Sequence, residues 1–95
     1  MTRTVEVRSG AYRDSVGLMQ VSTQLRSLSG VEAALVAMAT ELNLDLLDSM
    51  GFDRPVPTSP NDMLVAIDAT DTDAVTDALR VLEAALAAGP APSGG

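Results

Sequence analysis

A chain of 95 residues, 46% of them hydrophobic, is long enough for one domain with a single aliphatic core. It contains no cysteine, histidine or lysine, which excludes disulfides, thiolate or zinc sites, histidine acid–base chemistry and Schiff-base chemistry. The net charge of −7 argues against nucleic acid and anionic membranes as partners. No apolar run is long enough for a membrane span and no signal-peptide pattern is visible, so we expect a cytoplasmic protein.

The first predicted elements are a strand and an amphipathic helix. Residues 4–8 alternate apolar and polar side chains, which is the pattern of a half-buried strand. Apolar residues then recur at helical spacing over residues 18–28. Asp14 or Ser15 can cap this helix by accepting a hydrogen bond from a free backbone N–H, and Gly30 is suited to end it.

A second strand and a short helix follow. Residues 31–39 are apolar at almost every position, which predicts a strand that is covered on both faces. Thr40 can cap the next helix, and Gly51 can end it. Helical spacing predicts that its buried stripe consists of Leu42, Leu46, Leu47 and Met50.

The last part of the chain predicts a stiff connector, a strand and a long helix. Three prolines make residues 53–61 an extended loop, and residues 63–67 are again apolar on both faces. Thr70 and Asp73 have the spacing of a capping box, from which an amphipathic helix runs to a stop at Gly89.

The order of elements is β-α-β-α-β-α in one domain over residues 1–89, with a flexible tail or linker over residues 90–95. We predict an α/β (α+β) fold of the ferredoxin-like or ACT-like split βαβ kind, in which strand 3 lies antiparallel between strands 1 and 2. The fourth strand of that fold is missing, so strand 1 is an edge that a partner chain could complete. The alternative is a small open parallel sheet of three strands. The proline-rich connector favours the first arrangement, because the chain must turn round before strand 3.

In the ferredoxin-like arrangement, the ends of strands 1 and 2 and the start of strand 3 share one edge of the sheet. Eight polar residues would meet there: Tyr12, Arg13, Asp14, Ser15, Thr40, Asn43, Asn61 and Asp62. Two helix N-termini and the guanidinium group of Arg13 would favour an anionic ligand. We predict a ligand-binding or partner-binding site here, with no catalytic set, no metal and no cofactor. The other interpretation is that these residues only form caps and turns.

Several motifs resemble one protein family. They are Tyr12-Arg13-Asp14-Ser15-Val16, Gly30-Val31, Met38-Ala39-Thr40 with Asn43, Gly51-Phe52, Pro60-Asn61-Asp62 and Ala66-Ile67. Their order and spacing resemble the N-terminal region of the FdrA family of bacterial acyl-CoA-synthetase-like proteins. The larger C-terminal part of those proteins resembles the α subunit of succinyl-CoA synthetase, and some members are linked to purine catabolism through oxamate carbamoyl transfer. The nucleotide-binding or CoA-binding regions and the phosphorylated histidine are absent here, so no catalytic residue can be carried over.

The resemblance implies a non-catalytic accessory domain or small subunit of an FdrA-like acyl-CoA synthetase or carbamoyltransferase system. Its partner would be a larger FdrA-like or CoA-ligase-like protein, or a second copy in a homodimer. The alternative is a free-standing ACT-like regulatory module that binds a small carboxylate or carbamoyl compound at Arg13. An independent enzyme would need Asp14 and Asp62 to act as an acid–base pair in a real cleft, so we do not expect catalysis by the chain alone.

Overall fold

The computed structural model describes residues 2–9, 13–55 and 58–87. Within these ranges, the side chain of Ser15 is not described. Three strands and three helices alternate along the chain: β1 (Thr2–Arg8), α1 (Ser15–Arg26), β2 (Val31–Met38), α2 (Glu41–Ser49), β3 (Met63–Ala69) and α3 (Thr72–Ala87). The predicted domain end at Gly89 and the predicted tail lie outside the described residues. In the described part of the chain, no helix is both long and apolar enough to cross a bilayer.

The sheet has the strand order β1-β3-β2, and β3 is antiparallel to both of its neighbours. This confirms the ferredoxin-like split βαβ prediction and excludes the parallel alternative. Met63 at the start of β3 lies opposite Arg8 in β1 and Met38 in β2. The C-terminal ends of β1 and β2 therefore meet the start of β3 at one edge, as the sequence predicted.

Both faces of the sheet are covered, because β2 and β3 carry apolar side chains on both sides. Helices α1 and α3 pack on the first face, where the fully buried side chains include Leu25, Val65 and Leu82. Helix α2 and Phe52 pack on the second face against Leu64. The prediction that the second and third strands are apolar on both sides is confirmed.

Strand β1 is only half-buried along its length. Val5 and Val7 join the core of the second face. On the opposite side, the guanidinium group of Arg8 makes an ion pair with Glu83 of α3 and donates to Glu6 at 2.6 Å. The polar face of β1 therefore fastens the strand to α3.

The helices begin at three side-chain caps. Asp14 accepts a hydrogen bond from Gly17 N at 2.8 Å, and Thr40 accepts one from Asn43 N at 3.3 Å. The third cap is Asp71, which accepts from the backbone N–H of residue 74 at 2.8 Å. The predicted capping box at Thr70 is therefore wrong, because the cap lies one residue later, at Asp71, and the helix begins at Thr72.

Helix α2 buries Leu44 and Leu47, and the predicted stripe that included Leu42 and Leu46 is wrong at those two positions. The helix has leucines on more than one side, so spacing alone did not identify its buried face. The side that carries Leu44 and Leu47 is buried because it meets the apolar second face of the sheet.

Candidate functional site

A groove of about 590 Å³ runs along the free edge of β2, between α1 and α2. We call it the β2 groove. Its described lining consists of Arg13 and Pro60, the α1 residues Leu18, Met19, Ser22, Thr23 and Arg26, the β2 residues Leu35, Val36, Ala37 and Met38, and the α2-side residues Thr40, Asn43 and Leu46. Its volume is in the range of small-molecule sites.

Side chains from both helices occupy the backbone groups along the free edge of β2. The buried hydroxyl of Ser22 accepts from Val36 N at 2.8 Å and donates to Val36 O at 3.1 Å. Arg26 donates to the carbonyl oxygen of residue 34 at 3.3 Å, and Asn43 donates to that of residue 38 at 2.8 Å. The carbonyl oxygens of three alternate residues and the N–H of Val36 are thereby occupied, which removes partners that an added strand would need.

The arginines of the groove differ from the other four in their partners. Arg3, Arg8, Arg54 and Arg80 each pair with at least one carboxylate. Among the described residues, neither Arg13 nor Arg26 does. Arg13 donates instead to the carbonyl oxygen of Leu86, at 2.6 Å, near the C-terminal end of α3.

The described lining of the groove contains no aspartate or glutamate, although the chain has 13 such residues. Its two arginines, Arg13 and Arg26, have no carboxylate partner among the described residues. Its local charge is opposite to the net charge of −7. Electrostatically, such a groove attracts anions.

Three of the eight predicted site residues line the groove together: Arg13, Thr40 and Asn43. Tyr12 lies outside the described residues. Ser15 begins α1, and its side chain is not among those described. The structure thus brings a residue that follows β1 and two residues that follow β2 together in the groove.

The remaining predicted site residues form caps and turns. Asp14 caps α1. Asp62 accepts from Ser59 N at 3.0 Å through its side chain and from Ala39 N at 2.8 Å through its carbonyl. The backbone N–H of Asn61 donates to the Ser59 hydroxyl at 3.3 Å. These residues shape the loop beside the groove and are not among its described lining.

The sequence interpretation missed Met19, Ser22, Arg26 and Leu46 as groove residues. Met19 lies in the predicted amphipathic helix and is 66% exposed, and Leu46 is 44% exposed. Ser22 offered a usable signal, because it is a polar residue four positions after Leu18 on the buried side of α1.

Three acidic residues of α2 share one arginine outside the groove. Arg54 donates to Asp45 at 2.8 Å and to Asp48 at 2.6 Å, and it lies 3.6 Å from Glu41. Its hydrogen bonds to Asp48 and then to Asp45 raise the pKa of Arg54.

Comparisons with known proteins identify a family and a relative of the chain. The profile of the family described as "AllF, heavy metal-associated domain" matches residues 1–95. The "Uncharacterized protein YahF" of Escherichia coli (strain K12) is 44% identical over 55 residues, which cover 58% of this chain and 11% of that protein. The matched region is thus a small part of that relative's length. No solved structure matches the chain.

The description of the family raises the question of whether these residues fit a heavy metal. Soft metals are mostly held by thiolate or imidazole ligands, and this sequence has no cysteine and no histidine, so the thioethers of its five methionines are its only soft donors. Within the described ranges, no group of three or more aspartate or glutamate side chains is placed to hold an ion. The donor set therefore does not fit a heavy-metal centre.

Proposed function

Because the chain belongs to the AllF heavy metal-associated domain family, whose metal chemistry its own residues do not fit, we propose that it is a non-catalytic accessory module. It acts by docking onto a larger protein of an FdrA-like acyl-CoA synthetase or carbamoyltransferase system. The motifs that resemble the FdrA family, from Tyr12 to Ile67, support this choice of system. The 11% share of the relative YahF supports a module that works beside a much larger polypeptide.

The open edge of β1 is the observation that carries the docking proposal. β1 is an outer strand of the sheet. Among the described residues, no side chain donates to or accepts from its backbone, whereas the β2 edge is occupied by Ser22, Arg26 and Asn43. An open strand edge is a template for pairing with another strand.

The side chains of β1 also support docking of a partner strand at this edge. Val5 and Val7 are only partly buried on the second face, where they contact the core that includes Leu64. A strand added beside β1 would cover more of these valines and pair with the free backbone groups. The docking partner is therefore a protein that contributes one extended strand to the sheet.

The test is direct binding between this chain and the FdrA-like synthetase encoded in the same organism, measured by size-exclusion chromatography and calorimetry. Val5→Asp places a charge at the β1 edge, and Val16→Asp makes the same change at an exposed position of α1. We expect Val5→Asp to abolish binding and Val16→Asp to leave it unchanged. Circular dichroism shows whether each variant keeps its fold. Absence of binding by the unaltered chain, or equal binding by the two variants, would refute the proposal.

A further inference from the structure

We propose that the end of the β2 groove formed by Arg13, Thr40 and Asn43 binds a small amphipathic carboxylate. This inference goes beyond the docking function, because it uses the opposite edge of the sheet. It assigns an anionic head group to Arg13 and an apolar tail to the side chains of Met19 and Leu46.

The anionic head group follows from the charges of the groove. Every arginine outside the groove has a carboxylate partner, whereas Arg13 donates to a backbone carbonyl through one nitrogen. Its other guanidinium donors have no partner among the described residues. The described lining offers no carboxylate to repel an anion. An arginine with free donors suits a carboxylate, because the two planar groups can form paired hydrogen bonds.

Two polar side chains complete the head-group site. The hydroxyl oxygen of Thr40 accepts from Asn43 N, which leaves its O–H able to donate to a ligand oxygen. The side-chain nitrogen of Asn43 is held by the carbonyl of Met38 at 2.8 Å, so this side chain is fixed in place. The second N–H of its side-chain amide can donate to a carboxylate oxygen of the ligand.

The apolar tail follows from two exposed side chains. Met19 of α1 and Leu46 of α2 both line the groove and remain largely open to solvent. A flexible methionine facing a leucine suits an aliphatic chain of variable shape. An added protein strand does not fit here, because side chains already bind the alternate backbone groups of β2.

The experiment uses octanoate as the probe, titrated into isotope-labelled protein and followed by backbone amide chemical shifts. Octanamide has the same tail without the charge, and acetate has the charge without the tail. We expect saturable shifts at Thr40 and Asn43 with octanoate, and at least tenfold weaker binding of both comparison compounds. Equal binding of octanoate and octanamide would overturn the proposal, as would shifts confined to residues outside the groove.

Variants then test whether Arg13 is the residue that binds the carboxylate. Arg13→Gln is expected to weaken octanoate binding at least tenfold, whereas Arg80→Gln on the exposed side of α3 leaves it within about twofold. Undiminished binding by Arg13→Gln contradicts the assignment. If Arg13→Gln loses its fold, the comparison of octanoate with octanamide on the unaltered chain still tests whether binding requires the negative charge of the ligand. Because the β1 docking assay does not use the groove, each proposal can fail without the other.

Discussion

Ser22 is a single hydroxyl that satisfies both the N–H and the C=O of Val36 at the edge of the sheet. Only 4% of this serine is exposed, so water does not readily replace it. We expect Ser22→Ala to lower the free energy of unfolding by about 1–3 kcal/mol, because two backbone groups lose their partner. Urea unfolding measures the loss, and amide exchange should show reduced protection of Val36.

The matched control is Ser29→Ala, which removes a hydroxyl at an exposed turn position. We expect its effect to stay within about 0.5 kcal/mol. If the two variants unfold at the same urea concentration, then the hydrogen bonds of Ser22 to the β2 edge do not stabilise the folded protein.

Glu83 makes the stability of the protein depend on pH in acid. The hydrogen bond from Arg8 is the main cause of a lowered pKa for this carboxyl, while a small desolvation effect opposes it. A lowered pKa in the folded state means that the stabilisation is fully present above the ordinary value of 4.5. It is lost as pH falls from there through the folded pKa.

We therefore expect Glu83→Gln to destabilise the protein modestly at pH 7 and to flatten its loss of thermal stability in acid. The effect is small because the pair is exposed to solvent. Glu32→Gln is the control, since the exposed Glu32 side chain makes no ion pair among the described residues. Thermal melts of both variants between pH 7 and pH 3 provide the measurement; identical pH profiles would contradict the role of the Arg8–Glu83 pair.

At the scale of elements, two helix ends depend on glycine for different reasons. Gly30 has φ +87° and Gly51 has φ +89°, both in the left-handed region that favours glycine. A Cβ at Gly30 would lie 2.9 Å from the Cβ of Ala74 on α3. At Gly51 the nearest atom is the end of the Arg3 side chain at 3.5 Å, which is ordinary contact.

Alanine substitutions should separate backbone strain from steric clash. Gly51→Ala is expected to cost about 1–2 kcal/mol from the left-handed conformation alone. Gly30→Ala should cost distinctly more, because α3 must also move away from the turn. Chemical denaturation of both variants gives the comparison. Equal losses in the free energy of unfolding would mean that α3 can move away from Gly30 without loss of stability.

The elements themselves could be predicted from the sequence, and their contacts only in part. The alternation around Val5 and the two-sided apolar strands predicted the sheet, because burial imposes a period that the residues display directly. Caps at Asp14 and Thr40 were predictable because they act within one helical turn. Helix α2 was harder, since its leucines lie on several sides and only the neighbouring sheet decides that Leu47 is buried.

Only the part of the candidate site that lies in the turns after β1 and β2 could be predicted from the sequence. Strand order brought Arg13 and Thr40 to one edge, and the sequence predicted that convergence. Arg26 and Leu46 were not predictable as site residues, because they enter the groove through the way the helices pack on β2. The position of Arg54 among the carboxylates of α2 depends in the same way on how the connector folds back.

At the scale of the whole molecule, one thin sheet is shared by two apolar cores. Leu25 lies on the α1 and α3 side, Leu47 lies on the α2 side, and both are fully buried. β3 contributes to both cores, with Val65 on one side and Leu64 on the other. Loss of either core should therefore weaken the same central strand.

We expect Leu25→Ala and Leu47→Ala each to cost about 2–5 kcal/mol, because each leaves a cavity in a closed core. Their effects should add in the double variant, since the sheet separates the two sites. In each single variant, amide protection should fall by the same amount at Leu64 and Val65. Leu42→Ala is the control, because that side chain is 78% exposed and its loss should stay within about 0.5 kcal/mol. If Leu47→Ala lowered protection at Leu64 alone, α2 and the second face would unfold separately, and the two cores would not form one cooperative unit.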